Sequence, residues 1–145
     1  MSGIFGTDAV LITDINLLIQ IIAFILILVS FGYKTKGKFR NHGVVMGAAV
    51  ILHLISFLIA MAPAFFRHVE FFTTDTSPTG VQTMWVHAAT GAIALVLGIV
   101  IVVAWVVRVS DIAACTRRKR FMDVTVLLWL ISLIFGIATY LNFYL

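Results

Sequence analysis

The chain has 145 residues, of which 62% are hydrophobic and only 11% are charged, and its mean hydropathy is +1.14. This composition excludes an ordinary soluble domain, which needs a polar surface to stay dispersed, and it predicts an integral membrane protein. The net charge of +4 raises the question of nucleic-acid binding. The basic residues, however, flank apolar segments, which favours contact with anionic lipid and no role in nucleic-acid recognition.

Four apolar segments lie at about residues 11–33, 44–66, 83–107 and 122–144. Each has at least the roughly 20 residues that a helix needs to cross a hydrocarbon layer of about 30 Å. None shows the short alternating pattern of a membrane β-strand. Short connections favour antiparallel neighbours. The sequence therefore predicts an all-α, up-and-down bundle of four transmembrane helices in a single domain, residues 1–145.

Charge asymmetry predicts the orientation of this bundle in the cell membrane. Two connections carry nine basic residues: Lys34, Lys36, Lys38, Arg40, Arg108, Arg117, Arg118, Lys119 and Arg120. The opposite side has Arg67 as its only basic residue and carries four acidic ones: Asp8, Asp14, Glu70 and Asp75. By the positive-inside rule, both basic loops are cytoplasmic and both termini are outside.

Two side-chain patterns in the third and fourth segments predict helix contacts. Thr90, Ala94 and Gly98 recur every four residues, which makes one narrow helix face that a neighbouring helix can approach closely. Trp129 falls deep in the fourth segment, where its indole N–H needs a partner within the bundle.

The first hypothesis for the histidines is haem ligation. His42 and His53 are eleven residues apart, close to three turns, so they share a helix face about 16 Å apart in depth. A membrane cytochrome that binds two haems would use two histidines spaced in this way if a neighbouring helix supplied matching ligands. His87 of the third segment is a further candidate ligand, although it is predicted to lie about 8 Å nearer the outer surface than His53. Methionine is the other candidate axial ligand: Met46, Met61, Met84 and Met122.

The second hypothesis is an outer copper site. Met84 and His87 share a helix face, and His68 lies on the same side of the membrane. Thioether and imidazole ligands together suit copper, especially Cu(I).

A third hypothesis makes the histidines hydrogen-bonding partners between helices. For His87 the expected partners are the polar residues in the outer half of the first segment, Asp14, Asn16 and Gln20. The chain has no serine-hydrolase, zinc-protease or phosphate-binding motif, so a non-catalytic role is expected.

Three stretches resemble a family of four-helix membrane proteins known only as a domain of unknown function, the DUF420-like family. They are "NHGVVMGAA", "HAATGAIAL" and "RRKRFMDVTVLLWLISLIFGIATY". The residues that match the family pattern are His42, Met46, His87, Thr125, Trp129, Gly136 and Tyr140. Some members are implicated in the maturation of haem-copper terminal oxidases. The resemblance therefore implies an accessory or assembly subunit of a larger membrane metalloenzyme, with haem b or copper as candidate cofactors.

The chain departs from this family at two places. Where the family has a histidine opening the fourth helix, this sequence has Arg118, and the family's proline in the third helix is absent. An inner ligand pair that includes His42 is therefore incomplete in this chain. A small b-type haem protein that carries electrons and a purely structural, lipid-facing subunit remain the alternative functions.

The predicted orientation can be tested by cysteine labelling in intact cells, with Ser2→Cys and Thr35→Cys each placed in a Cys115→Ser background. We expect a membrane-impermeant reagent to label position 2 and to leave position 35 unlabelled until the cells are opened. The reverse pattern would contradict the orientation.

Overall fold

The computed structural model of the protein describes residues 4–6, 8–107 and 118–145. Arg108, Cys115 and Arg117 lie outside the described residues. The helices are α1 (Leu11–Thr35), α2 (Phe39–Ser56), a π-helical turn (Phe57–Met61), α3 (Ala62–Arg67), α4 (Val69–Thr74), α5 (Thr79–Val107) and α6 (Lys119–Tyr144). Within this part of the chain there is no strand, and four helices are long and apolar enough to cross a membrane: Leu11–Thr35, Phe39–Arg67, Thr79–Val107 and Lys119–Tyr144. The predicted all-α four-helix membrane bundle is confirmed.

Three helices begin earlier than the apolar segments that predicted them. The second span begins at Phe39 and not near residue 44, the third at Thr79 and not near 83, and the fourth at Lys119 and not near 122. A hydropathy pattern marks only the residues that lie in hydrocarbon, whereas the first turn of a membrane helix extends into the polar headgroup region. The earlier start places His42 in the first turn of α2.

The turn between α1 and α2 depends on Gly37, whose φ of 70° lies in the left-handed region that favours glycine. Its N–H donates to the carbonyl of Lys34 at 3.1 Å, and the N–H of Lys38 donates to the carbonyl of Tyr33 at 2.9 Å. These two bonds form the Schellman arrangement that ends many helices. The chain therefore reverses within a few residues, which brings the end of α1 against the start of α2.

The second span contains a widened turn that the sequence analysis did not predict. The N–H of Ala62 bonds to the carbonyl of Phe57, five residues back, and Pro63 follows at the start of α3. Proline has no N–H to donate and its ring crowds the preceding turn of an α-helix. A π-helical turn placed directly before the proline allows the span to continue, and such turns are frequent at functional sites.

The bundle consists of two antiparallel hairpins, in which α1 packs on α2 and α5 packs on α6, and the hairpins meet mainly through α2 and α5. Trp129 of α6 fills the centre. Small residues from the three other spans, Ala23, Ala49 and Ala94, join it in the buried core. Phe24 stacks on the indole with ring centroids 6.0 Å apart. One large ring is therefore accommodated by one alanine from each neighbouring helix.

The small face predicted on the third segment is confirmed for two of its three residues. Ala94 is 3% exposed, and Gly98 is buried so closely that a Cβ there would lie 3.1 Å from a methyl group of Val50. Thr90 is only partly buried, whereas Gly91 beside it is buried. The contact face is therefore rotated slightly from the predicted one.

Large aliphatic side chains cover the outside of the bundle. On α5 they recur every three or four residues along one exposed face: Ile93, Val96, Val100 and Val103. Exposed apolar rows of this length are typical of helices that contact hydrocarbon or other membrane helices. The surface therefore supports a lipid bilayer as the environment of the four spans.

The connection between α3 and α5 is folded over the ends of the helices. Phe65 contacts the rings of Phe72 and Trp85 with centroids 6.0 and 5.5 Å apart, and Phe72 also contacts Phe143 of α6. The indole N–H of Trp85 donates to the carbonyl of Phe72 at 3.1 Å. The aromatic residues of this loop thus pack in part on one another.

A turn within the same connection precedes α5. Asp75 accepts hydrogen bonds from the N–H and the hydroxyl of Ser77, at 2.9 and 2.6 Å. These bonds stabilise the carboxylate and hold the pKa of Asp75 below its ordinary value.

Gly43 and Gly32 provide a matched test of the helix packing. A Cβ at Gly43 would lie 2.3 Å from the indole of Trp105, whereas a Cβ at Gly32 would meet nothing within 4 Å. We expect Gly43→Ala to lower the free energy of unfolding by about 1–3 kcal/mol, because the rigid indole must move. We expect Gly32→Ala to be neutral or to stabilise by about 0.5–1 kcal/mol. Denaturation of the purified variants in detergent measures both changes, and equal stabilities would contradict the α2–α5 contact.

Candidate functional site

The histidines of the second span lie on one buried face, as their spacing predicted. His42 is 3% exposed and His53 is 4% exposed. Both rings bond to α1, His42 to Ser30 and His53 to Gln20. The two rings nevertheless have different surroundings, and the difference determines what each can do.

Three hydrogen bonds join Ser30 of α1 to His42 of α2, and we call this arrangement the inner clamp. Nδ1 of His42 lies 2.6 Å from the hydroxyl oxygen of Ser30 and 3.0 Å from the carbonyl oxygen of Ser30. The Ser30 hydroxyl donates its proton to the carbonyl of His42 at 3.0 Å. Because a carbonyl can only accept, and the hydroxyl proton is already used, Nδ1 must carry the ring proton.

The inner clamp therefore fixes the tautomer of His42 and leaves a lone pair on Nε2. Among the described residues, this Nε2 is the one buried side-chain nitrogen or oxygen without a hydrogen-bond partner. An imidazole whose Nδ1–H donates to a carbonyl while Nε2 stays free has the form that binds metal ions in proteins. The chemistry of this donor fits one ligand position of a haem iron or another metal centre.

The same three bonds recur between α5 and α6, and we call this second arrangement the outer clamp. Nδ1 of His87 lies 2.8 Å from the carbonyl oxygen of Ser132 and 3.1 Å from its hydroxyl oxygen, and that hydroxyl donates to the carbonyl of His87 at 3.0 Å. The partners expected for His87 on the first helix are therefore wrong. The reason lies in the pairing of the helices, since α5 packs most closely on α6 and turns this ring toward it.

Two glycines make room for the outer clamp. A Cβ at Gly91 would lie 2.7 Å from the hydroxyl oxygen of Ser132, and a Cβ at Gly136 would lie 2.8 Å from Nδ1 of His87. Any side chain at either position would push the ring and the hydroxyl apart. Gly136 was one of the residues matched to the family pattern, and its place against the histidine gives that position a physical reason.

His53 sits in the middle of the bundle with partners from two other helices. Its Nδ1 faces the amide oxygen of Gln20 at 3.1 Å and the indole N–H of Trp129 at 3.3 Å. The first contact needs a proton on Nδ1 and the second needs a lone pair, so this nitrogen finds a partner in either tautomer. The partner expected for Trp129 within the bundle is thus confirmed, whereas haem ligation by His53 stays a prediction.

The polar chain continues outward from Gln20. Its amide donates to the hydroxyl of Ser56 at 2.7 Å, and Ser56 donates in turn to Asn16 through a very short bond. Near the outer end, Asp14 is fully buried and accepts a hydrogen bond from Tyr140 at 2.6 Å. The polar residues of α1 therefore bond to α2 and α6, which leaves none of them to His87.

The residues proposed for an outer copper site have separate surroundings. His68 is exposed, with its ring edge-on to Phe72 at 6.4 Å. Met84 is buried on α5, and His87 is held in the outer clamp. In the described ranges, no three His, Cys, Asp or Glu residues are grouped so that they could hold a metal ion. Copper bound by His68, Met84 and His87 stays a prediction.

Sequence reasoning identified the histidines but missed Ser30 and Ser132. The available signal is a hydroxyl residue inside an apolar segment, a pattern that also occurs where a serine bonds only to its own helix.

Comparison with known proteins gives no match to a family model, to a curated protein or to a solved structure. The resemblance to the DUF420-like family stays a prediction.

The clamps predict a stability effect of Ser30→Ala and Ser132→Ala. Each change removes the hydroxyl bonds between paired helices, so we expect a loss of about 0.6–1.7 kcal/mol. Thr90→Ala is the matched control, because the Thr90 hydroxyl bonds only to carbonyls of its own helix, those of Val86 and His87. Detergent unfolding of the three variants measures the difference. A control as unstable as the serine variants would argue against the clamps.

Proposed function

We propose that this protein is a non-catalytic accessory or assembly subunit of a larger membrane metalloenzyme of the respiratory, copper or haem oxidase type. It resides in the cell membrane with both basic loops in the cytoplasm. The observation that carries the proposal is Nε2 of His42, a buried nitrogen with a free lone pair and a fixed tautomer. Such a nitrogen is suited to bind a metal centre. His42 is the only histidine that the sequence places at the inner end of the bundle.

A metal centre with only one histidine ligand from this chain favours a function together with a partner protein. A metal centre that works by itself normally draws several ligands or catalytic groups from its own chain. Here His42 is the only histidine at the inner end of the bundle, and Arg118 stands where the resembling family has a second one. A centre assembled on His42 would therefore obtain further ligands from a cofactor or another subunit, as expected of an accessory or assembly protein.

The resemblance described above supports the same function, since some members of that family take part in oxidase maturation. The exposed apolar faces of the spans are compatible with lipid on one side and with the membrane helices of a partner on another. The nine basic residues of the two predicted cytoplasmic loops support the orientation.

A second candidate, a small b-type haem protein that carries electrons, is favoured by the same nitrogen of His42. Electron carriers of this class usually hold haem iron between two protein ligands. A purely structural, lipid-facing subunit is favoured by the two clamps, which act as hydrogen bonds between helices whether or not a cofactor is present.

The proposal can be tested by native co-purification from membranes of the source cells. We expect the tagged protein to bring down subunits of a haem- or copper-containing oxidase. We also expect deletion of the protein to lower the amount of assembled oxidase in membranes while the turnover per assembled enzyme stays unchanged.

His42→Gln should reproduce the deletion, whereas His68→Gln, at an exposed ring, should not. If no metalloenzyme subunit co-purifies and the deletion leaves the oxidase content unchanged, the proposed function is wrong.

A further inference from the structure

The inner clamp distinguishes between haem iron and a zinc or copper ion as the metal centre that His42 would bind. Zinc and copper sites draw three or four ligands from protein side chains. Haem iron receives four nitrogens from its own macrocycle and needs only one or two axial ligands from protein. In the described residues no three His, Cys, Asp or Glu side chains are grouped. A lone buried imidazole nitrogen therefore matches haem better than a bare metal ion.

We infer that His42 is the axial ligand that this chain gives to a haem, with Ser30 as its positioning residue. This inference rests on the proposed function and gives it a ligand class. The Ser30 carbonyl and hydroxyl hold Nδ1, so Nε2 keeps one direction and one protonation state before iron is bound. A hydrogen-bonded Nδ1 also makes the imidazole a stronger ligand.

The neighbours of His42 suit a flat apolar molecule with an acidic edge. The ring of Phe31 stacks beside His42, with centroids 6.4 Å apart and planes 30° apart. The ammonium group of Lys34 lies 5.8 Å from the centre of the Phe31 ring. A haem has an apolar macrocycle and two carboxylates. The Phe31 ring is suited to contact the apolar macrocycle, and the Lys34 ammonium group is suited to pair with a carboxylate.

The other histidines of the spans fit this role less well. Nδ1 of His53 is shared between Gln20 and Trp129 in the packed core. His87 has the same tautomer as His42. Its Nε2, however, is not one of the buried atoms left without a partner. Among the four histidines, only His42 combines a fixed tautomer, burial and an unpartnered nitrogen.

The sequence places no other histidine at the inner end of the bundle, so this chain gives the iron one imidazole. The isolated protein should therefore hold five-coordinate, high-spin haem that binds carbon monoxide when reduced. An electron carrier with two histidine ligands would hold low-spin haem that does not.

The test is a titration of the full-length purified protein in lipid nanodiscs with ferric protoporphyrin IX, followed by absorption and electron paramagnetic resonance. We expect one haem per chain and a carbon monoxide adduct after reduction. His42→Gly should lose the bound spectrum, and added imidazole should restore it, which shows that the variant is folded. His68→Gly should behave as the parent.

Ser30→Ala should weaken haem binding by about tenfold, since loss of a residue that hydrogen-bonds the non-ligating nitrogen of a ligand histidine has effects of this size. Ser30→Thr should restore the affinity and the spectrum. Ser132→Ala is the matched control, because it removes the same kind of bonds from the outer clamp and should leave haem affinity unchanged.

A haem spectrum that persists unchanged in His42→Gly would overturn the inference, as would a low-spin spectrum that excludes carbon monoxide. Binding of Cu(I) or Zn²⁺ that depends on His42, with no binding of haem, would also overturn it. These outcomes can be distinguished from those of the co-purification test. If haem binds through His42 but no oxidase subunit co-purifies, only the proposed function is wrong. If an oxidase subunit co-purifies but no haem binds, only this inference is wrong.

Discussion

A histidine that enters the hydrocarbon of a membrane brings two ring nitrogens, and both lose the hydrogen bonds that water would supply. The same holds for every serine, glutamine and tryptophan N–H at that depth, and the bundle is organised by where these groups find partners. Each hairpin contains one serine–histidine clamp, and the first hairpin has further bonds from Gln20 to His53 and Ser56. The two hairpins are joined by the bond between Trp129 and His53 and by the bond between Tyr140 and Asp14. Apolar side chains alone would not select this arrangement, because lipid tails solvate them equally well.

The polar bonds require close helices, and this requirement explains the small residues. Gly91 and Gly136 leave space for the outer clamp, and single alanines from α1, α2 and α5 surround the indole of Trp129. Close approach of the backbones also increases the number of atoms in van der Waals contact between the helices. The clamps and the small residues are therefore two parts of one packing solution, and a change in either affects the other.

The sequence predicts the parts of this fold that follow from solubility and periodicity. Run length gives four spans, and the eleven-residue spacing places His42 and His53 on one face. Helix starts are poorly predicted, since the turns that extend into the headgroup region have no apolar signal. The partner of His87 is also predicted wrongly, because helix rotation depends on which neighbour packs closest, and that is a property of the assembled bundle. The π-helical turn before Pro63 and the bonds of Ser30 and Ser132 are not predicted for the same reason, because they too depend on how the helices pack.

Among the described residues, Nε2 of His42 is the one buried side-chain nitrogen or oxygen without a hydrogen-bond partner, and leaving it so costs free energy. A buried polar group without a partner costs about 1–3 kcal/mol, so folded proteins keep such groups few. Here the bundle satisfies His87 and His53 on Nδ1 and even supplies His53 with a neighbour for either tautomer. At His42 two contacts from Ser30 hold Nδ1 of the ring, a third bond joins the Ser30 hydroxyl to the His42 backbone carbonyl, and Nε2 is left without a partner. Interhelical bonding accounts for Nδ1 of this ring, and it offers no reason to bury the other nitrogen. A ligand for Nε2 supplies that reason, which is why the inner clamp, and not the more central His53, carries the functional hypothesis.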